Sequence, residues 1–114
     1  MLFRSKELGD RVGEGKAYCG LGAAYHRLGD FQQAIECHKL YLNIAKGNGE
    51  RAEEALAYFN LGIVNDSLLN FEQAKEYYKE CANIAKEVGD MDREGKAYGN
   101  MGSVYQRLDR KSVV

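Results

Sequence analysis

The sequence predicts an all-α protein in which antiparallel helix pairs stack into an α-solenoid. Tyr18, Tyr58 and Tyr98 stand 40 residues apart (58 − 18 = 98 − 58 = 40), so the chain repeats one structural unit of that length. Proline is absent, and Ala, Glu, Lys and Leu are plentiful, which favours helices over strands. With 114 residues, the whole range 1–114 is expected to form one small domain with a modest core.

The first complete repeat is predicted over residues 11–50 and consists of two helices, here called A and B. In its first half, apolar and small side chains recur every three or four positions, which is the spacing of one helical face. Gly29 is suited to the left-handed conformation that ends helix A, and Asp30 is suited to the N-cap of helix B. Because Gln33 follows Asp30 by three residues, a capping box is expected where helix B begins at Phe31.

The second repeat, predicted over residues 51–90, follows the same plan. Its helix B is expected to begin at Phe71 behind an N-capping Asn70, which again stands three residues before a glutamine. The third repeat keeps only helix A, over residues 91–108, because the aromatic and alanine positions that open helix B in the other copies are not repeated afterwards. Residues 109–114 are therefore predicted to be a tail.

The first ten residues are predicted to be the end of a preceding helix B. Residues 1–10 align without gaps on 41–50 and 81–90, and the three segments share a lysine, a glycine and an acidic residue at equal positions. The predicted stack is therefore incomplete at both ends. Its last A helix keeps apolar residues for a helix B that does not follow in the sequence, and we expect these ends to support head-to-tail self-association.

Glycines inside the predicted A helices indicate close contact with helix B. Gly22, Gly62 and Gly102 stand in helix interiors, where glycine costs about 1 kcal/mol relative to alanine. We expect a neighbouring helix to approach closely at these points, with the small residues Ala34 and Ala74 on the facing side. The repeated tyrosines are expected to fill the space between helices.

Composition and charge argue against several classes of function. Sixteen basic and seventeen acidic residues are spread along the chain, which gives no electrostatic basis for binding nucleic acid or an anionic membrane. No apolar run approaches the roughly 18 residues of a membrane-spanning helix, so no membrane insertion is expected. The first residues also lack the apolar core of a secretory signal, and a cytoplasmic location is predicted.

The sequence offers no constellation of residues for catalysis, a metal ion or another cofactor. Its three cysteines are widely spaced and odd in number, which favours reduced thiols over disulfides, and no C-x-x-C pair indicates zinc. His26 and His38 lie on different predicted helices without a shared serine, cysteine or carboxylate partner. We therefore predict that the protein is not an enzyme and that Cys37, Cys81 and His38 fill space in the core.

The repeated motif resembles that of tetratricopeptide repeat proteins. In the first copy it reads Tyr18-x2-Leu21-Gly22-x2-Tyr25 with Ala34 further along, and the later copies keep most of it. The step of 40 residues is longer than the usual repeat of roughly 34, and in this the chain is similar to the Pins/LGN group of spindle-orientation adaptors and related long-period arrays. The resemblance implies helix pairs in a right-handed superhelical stack whose A helices line a concave groove.

The resemblance also implies a function and the residues that carry it. Tetratricopeptide repeat proteins are non-catalytic scaffolds or adaptors that bind a peptide or helix of a partner protein in the groove. Asn60 and Asn100 match the position whose amide holds a peptide backbone, although an ordinary exposed asparagine is an equally good interpretation. Arg27 and Arg107 are suited to acidic groups. The expected groove residues are Lys16, Arg27, Phe59, Asn60, Ile63, Lys96, Asn100 and Arg107.

Two interpretations of the function stay open at this point. Phe59 and Ile63 give the expected groove an apolar centre, so a binding protein of this kind would take a ligand with hydrophobic as well as acidic groups. The alternative is a structural segment of a larger or self-associating array, which stacks against other repeats and binds no ligand of its own.

Overall fold

The chain folds into five consecutive α-helices in the computed structural model. The structure describes the backbone of residues 2–113, and within it the side chains of residue 11 and of residues 13–110. No β-strand is present between residues 2 and 113, so the predicted all-α class is confirmed. The helices are α1 (Leu2–Leu28), α2 (Phe31–Asn48), α3 (Arg51–Ser67), α4 (Phe71–Val88) and α5 (Met91–Val113).

The helices pair in chain order and form an elongated stack. Turns of two or three residues join them, so each helix runs antiparallel to the one before it. Helix α2 lies between α1 and α3, and α4 lies between α3 and α5. The backbone envelope measures 60 × 32 × 17 Å, which is the shape of a row of helices rather than a sphere. This arrangement is the predicted solenoid of helix pairs.

Both predicted end segments belong to longer helices, which corrects the boundaries at residues 10 and 108. Helix α1 runs from Leu2 through residues 9 and 10 without a break, and α5 continues through Asp109 to Val113. A glycine permits a helix to end but does not force it to. At Gly49 and Gly89 the chain turns back because the next helix covers apolar surface on the helix just completed.

Continuing the helix through residues 9 and 10 keeps the backbone hydrogen bonds of that segment. The predicted head-to-tail contact relied on residues 1–10 being the end of a separate helix B. A continuous α1 removes that basis. The side chains of residues 1–10 and 111–114 lie outside the described part of the structure.

Left-handed residues form the tight turns between helices. Gly29, Gly49 and Gly89 adopt φ values of 84°, 69° and 80°, so the predicted glycine cap at residue 29 is confirmed. The turn between α3 and α4 has no glycine, and there Leu69 takes the left-handed conformation with φ 65°. A leucine in this conformation is strained, because its Cβ crowds the backbone carbonyl.

The two predicted caps of the B helices differ. The backbone amide of Gln33 donates to the Asp30 carboxylate at 3.3 Å, which confirms the Asp30 cap of α2. The other half of the predicted capping box is not formed, because the Asp30 backbone amide donates to the Tyr25 carbonyl oxygen at 2.9 Å. Helix α4 begins at Phe71 with Asn70 at the N-cap position, as predicted, but the expected capping bond is absent because the Asn70 side chain does not accept from the first turn. Its side-chain amide points back along the chain, and Nδ2 donates to the side-chain oxygen Oδ1 of Asn65 at 3.4 Å. The Asn70 side chain therefore bonds to the buried Asn65 side chain instead of capping the first turn of α4.

Two of the three mid-helix glycines, Gly22 and Gly62, mark close contacts, but their neighbours differ from those predicted. The prediction is wrong for Gly102, which has nothing within 4 Å of an added Cβ. A Cβ added to Gly22 would stand 2.5 Å from the His38 ring, and one added to Gly62 would stand 2.6 Å from the Tyr78 ring. The facing residues are thus rings four positions beyond Ala34 and Ala74, one helical turn later. The two alanines are fully buried beside the rings and leave room for them.

The repeated tyrosines are not equally buried. Tyr18 and Tyr58 are half-buried between helices, whereas Tyr98 is 49% exposed, and the equivalent glycine Gly102 has nothing within 4 Å of an added Cβ. The most deeply buried tyrosine is Tyr78 on α4, which belongs to a cluster with Ala74 and Val104. Helix α5 therefore packs on α4 with one face and leaves another uncovered.

Candidate concave groove

Two hollows lie side by side along the face formed by the A helices α1, α3 and α5. The hollow between α1 and α3 has a cavity volume of about 210 Å³, and the hollow between α3 and α5 has about 220 Å³. Asn60 lines both of them, so it stands where the two hollows meet. The first is lined by Ala23, His26, Arg27, His38, Asn60, Ile63 and Val64, and the second by Leu56, Phe59, Asn60, Asp92, Arg93 and Lys96.

Side-chain bonds between neighbouring A helices cross this face in a constant register. Each bond joins residues 41 positions apart, one more than the repeat period. The shared offset shows that successive A helices are related by the same shift. The three bonded pairs are Asn60 Nδ2 with Cys19 Sγ at 3.6 Å, His26 Nε2 with Ser67 Oγ at 2.9 Å, and Arg107 with Asp66.

Asn60 and Asn100, which are equivalent in the sequence, have different surroundings. Asn60 is half-buried, and its amide nitrogen makes only a long contact with the Cys19 sulfur. Its carbonyl oxygen has no protein partner among the described residues. The Asn100 side chain instead forms a hydrogen bond with the Tyr78 hydroxyl. Asn60 therefore keeps the hydrogen-bonding capacity that a peptide backbone needs, whereas Asn100 uses part of its capacity inside the fold.

The apolar residues expected in the groove lie at its floor. Ile63 is half-buried and lines the hollow between α1 and α3. Phe59 lines the hollow between α3 and α5, where its ring meets the Tyr78 ring edge-on at a centroid distance of 5.8 Å. Both side chains thus support the core from one side and face the groove from the other.

The four basic residues expected in the groove do not act as one charged patch. Arg107 pairs with Asp66 and lies over the Phe71 ring, and Lys96 pairs with Asp92 at 3.0 Å. Lys16 lies outside both hollows, in a recess between α1 and α2. Arg27 lines the hollow between α1 and α3, is exposed, and forms no ion pair with any side chain that the structure describes. The uncompensated positive charge therefore lies at the α1 side.

Comparison with known proteins agrees with this geometry. The family model described as Tetratricopeptide repeat matches residues 13–87, about two thirds of the chain. The chain belongs to the tetratricopeptide repeat family. Repeats of this family generally mediate protein–protein interactions, and the family and its helical-repeat fold are typically non-catalytic. The finer similarity to the Pins/LGN group stays a prediction.

A solved structure shares this tetratricopeptide-like architecture over most of the chain. It is BtubC (BKLC) from P. vanneervenii, which superposes with a TM-score of 0.74 at 28% sequence identity. The match covers 82% of this chain and 39% of that one, so the chain spans about two fifths of the length of BtubC. A search of curated proteins found no match.

His38 is a residue of this tetratricopeptide groove that the sequence did not identify, as are Asp92 and Arg93 in the hollow between α3 and α5. Its ring is buried against Gly22, as a residue that fills the core should be, yet it also reaches the hollow between α1 and α3. Burial, assisted by the nearby His26, lowers the pKa of His38 to about 4. The ring is therefore neutral at pH 7, and its Nδ1 atom has no partner in the described structure. The signal in the sequence was the spacing of 16 residues that separates both Gly22 from His38 and Gly62 from Tyr78.

The thiols of the tetratricopeptide unit are free and weakly acidic. Cys37 and Cys81 are buried, and Cys19 is half-buried at the groove. Burial raises the pKa of all three thiols, to about 11 for Cys81, so their nucleophilic thiolate forms are disfavoured. Among the side chains that the structure describes, no group of three or more His, Cys, Asp or Glu residues is placed to hold a metal ion. Within the described helices, none is both long and apolar enough to cross a membrane.

Proposed function

We propose that the protein is a non-catalytic scaffold or adaptor that holds a peptide segment of a partner protein in the concave groove. The observation that carries this proposal is the position of Asn60, a half-buried amide at the junction of two hollows with its carbonyl oxygen unengaged by the described protein. An extended peptide lying across α3 passes this amide, which accepts one backbone bond and donates another.

The chemistry of the hollow between α1 and α3 specifies the ligand further. Ile63 offers an apolar floor, and Arg27 stands at the same hollow as an unpaired cation. A ligand with an apolar side chain and a neighbouring carboxylate fits this combination. The hollow between α3 and α5 is a weaker site for an anion, because both cations that line it are already paired, Lys96 with Asp92 at 3.0 Å and Arg93 with Asp90 at 3.4 Å. We expect the acidic end of the peptide at α1.

We also propose that the protein works in the cytoplasm. Three free thiols with no disulfide between them suit a reducing compartment. Expression with a fluorescent tag, in the cells of origin, tests the location directly, and a signal confined to the secretory pathway contradicts it.

The groove is tested by selecting peptides and then removing the amide. Random linear peptides displayed on phage are selected on the wild-type chain, and the affinities of the selected peptides are measured by fluorescence anisotropy. Asn60→Ala should weaken binding about tenfold, because the backbone bonds of the peptide lose their partner. Arg27→Ala should weaken only the peptides that carry an acidic residue.

Asn43→Ala is the matched control for this experiment. Asn43 is an exposed asparagine on α2 that lines neither hollow, so the same substitution there should leave the affinity unchanged. Asn100 is left intact because its bond to Tyr78 belongs to the fold. Equal effects of the Asn60 and Asn43 substitutions, or the absence of any saturable peptide, would exclude the groove as the binding site.

A second candidate function is a structural segment of a larger or self-associating array. The exposure of Tyr98 and Tyr105 on α5 favours it, since apolar surface of this kind is typical of an interface. Light scattering across a hundredfold dilution series tests self-association. A constant monomer mass throughout contradicts the self-associating form of this proposal.

A further inference from the structure

Helix α5 carries a regular uncovered face, here called the α5 seam and defined by the five residues given below. Their steps of four, three, four and three residues place them in one line along the helix. The three large side chains of the line are 81%, 49% and 49% exposed, and both glycines have nothing within 4 Å of an added Cβ. The seam consists of Met91, Gly95, Tyr98, Gly102 and Tyr105.

The same positions are covered in the other two A helices. In α3 the equivalents of the last four seam residues lie beneath α4, where Gly62 and Asn65 are buried. In α1 they lie beneath α2, where Gly15 and Gly22 are buried. Since the residue types are similar, the α5 seam is exposed because none of the described helices covers it, and not because its residues are polar.

A ring seated on the central glycine is the contact that both covered joints share. The His38 ring occupies the place of a side chain at Gly22, and the Tyr78 ring does so at Gly62. Gly102 provides the same space, but no ring in the described chain fills it. The seam therefore has the same features as two helix interfaces inside the molecule, but no helix of the described chain packs on it.

The seam is not needed for packing within the chain. Helix α5 contacts α4 through a different line of residues, in which Ala97 and Val104 are fully buried and Met101 and Leu108 are partly buried. A helix docked on the seam would thus lie beside α5 as α4 lies beside α3 and would leave this line of contacts in place. From α4, the Lys75 ammonium reaches the seam, 5.7 Å from the centroid of the Tyr105 ring.

The two internal B helices define what such a helix must present. In each, an alanine is followed four residues later by the ring, and then by buried residues seven, eight and eleven positions after the alanine. These sets are Ala34, His38, Tyr41, Leu42 and Ala45 in α2, and Ala74, Tyr78, Cys81, Ala82 and Ala85 in α4.

We propose that the α5 seam binds an amphipathic α-helix of a partner protein, in which a small residue is followed four positions later by tyrosine or histidine. The ring of that helix occupies Gly102, and the apolar residues beyond it cover Tyr98. The partner is a different chain rather than a second copy. In this chain α2 and α4 carry this pattern on faces buried between A helices, and in α1 the small residue of the pattern, Gly22, is already covered by the His38 ring. Helix α5 has glutamate and methionine four residues before Tyr98 and Tyr105.

A peptide from the protein itself provides a probe of known chemistry. Residues 70–90, which contain α4 and its ring Tyr78, are synthesised with a fluorophore and titrated with the full chain. Saturable binding is expected from the wild-type protein. A peptide in which Tyr78 is replaced by alanine should bind about tenfold more weakly or not at all, because the contact at Gly102 is lost.

Two glycine substitutions in the protein separate docking from folding. Gly102→Ala places a methyl group where the ring must sit and should weaken binding about tenfold or more. Gly99→Ala adds the same group to the same helix outside the seam and should change the affinity by less than about twofold. Both substitutions should raise the thermal midpoint, since alanine favours a helix over glycine and neither added Cβ meets an atom.

Three results would overturn the proposal. The first is the absence of saturable binding by the wild-type chain. The second is equal affinity of the wild-type and Gly102→Ala proteins, which would mean that the peptide binds elsewhere or replaces α4. The third is a wild-type dimer that Gly102→Ala dissociates in sedimentation, because the occupant of the seam would then be a second copy. The groove test at Asn60 is independent of all three results.

Discussion

The two complete helix pairs are built from the same sequence unit, but one has the less strained turn between its helices and the other has the better satisfied central ring. In the pair α1–α2 the turn uses Gly29 and a working Asp30 cap, but its central ring, His38, buries a nitrogen that lacks a partner. In the pair α3–α4 the central ring is Tyr78, whose hydroxyl bonds to Asn100 on the next helix. Its turn, however, is strained at Leu69.

This comparison shows that the repeat determines where a ring and a left-handed residue stand, but not how much each contributes to the free energy of unfolding. The ring must fill the space above a glycine, but its chemistry decides how much the joint contributes to the free energy of unfolding. The turn must contain a left-handed residue, but only glycine adopts that conformation without strain. We therefore expect core substitutions to cost more stability in the pair α3–α4, and turn substitutions to cost more stability in the pair α1–α2.

The largest expected difference lies in the central rings. Tyr78→Ala should lower the free energy of unfolding by about 3–5 kcal/mol, because a fully buried aromatic ring leaves a cavity. His38→Ala should lower the free energy of unfolding by less, about 1–3 kcal/mol. The His38 ring is smaller, and its removal also relieves the cost of a buried nitrogen that has no hydrogen-bond partner in the described structure. Urea unfolding followed by far-UV circular dichroism measures both losses.

The matched control is Tyr77→Ala, on the same helix. Tyr77 is half-buried and meets Tyr58 at a centroid distance of 6.1 Å, so its removal should cost less than that of Tyr78. If His38 and Tyr78 cost the same, the chemistry of the ring would not matter and the comparison between the two pairs would fail.

Acid should weaken the first pair selectively, through His38. The folded-state pKa of His38 is about 4, below its ordinary value of 6.5, mainly because burial disfavours the charged ring. The unfolded chain therefore binds a proton that the folded chain does not between these two pH values. Stability from this group is complete above about pH 6.5, falls as the pH drops towards 4, and changes by on the order of 3 kcal/mol.

Carboxylates also titrate in this pH range, so the effect of His38 is measured as the difference in stability between the wild type and a variant without the histidine. Urea unfolding of the wild type is compared with that of His38→Gln at several pH values from 7 to 4. The wild type should lose more stability than the variant, whose side chain takes up no proton. Parallel curves for the two proteins would show that the His38 ring is not held neutral by the fold.

The sequence predicted those features that local chemistry determines. Gly29 had to be left-handed because it ends one helix two residues before another begins, and Asp30 had the side chain and the position of a cap. Gly22 and Gly62 indicated close contact because nothing else compensates for the cost of a glycine inside a helix, whereas the same inference failed at Gly102. These predictions needed only neighbouring residues and the repeat period.

The features that the sequence did not predict depend on which surfaces meet. The continuity of α1 through residue 10 depends on whether another helix covers it, and the failed cap at Asn70 depends on the buried Asn65 beside it. In the groove, Arg107 was expected to bind acidic ligands but meets Asp66 on the neighbouring helix. Asp66 and Arg107 are 41 positions apart, one more than the repeat period. The extra position comes from the shift between stacked helices, and the 40-residue period of the sequence does not predict it.

The smallest expected effect lies in the turns, where Leu69 and Gly29 occupy the same place. Leu69 is 68% exposed with φ 65°, so it has strain without much burial to compensate for it. Leu69→Gly should remove about 1–2 kcal/mol of strain and add about 0.5–1 kcal/mol of unfolded-chain entropy, for a net gain of about 0.5–1 kcal/mol. The thermal midpoint should rise by about 3–6 °C in calorimetry.

Two further substitutions sharpen this last prediction. Gly29→Leu should destabilise the first pair by about 1–2 kcal/mol through backbone strain alone, because an added Cβ at residue 29 would meet no atom within 4 Å. Leu68→Gly is the matched control, one residue before Leu69. Leu68 has φ −81° and is half-buried, so glycine there gains nothing and the midpoint should fall. A fall in the midpoint for Leu69→Gly would mean that the exposed leucine contributes more through contacts with the start of α4 than it costs in strain.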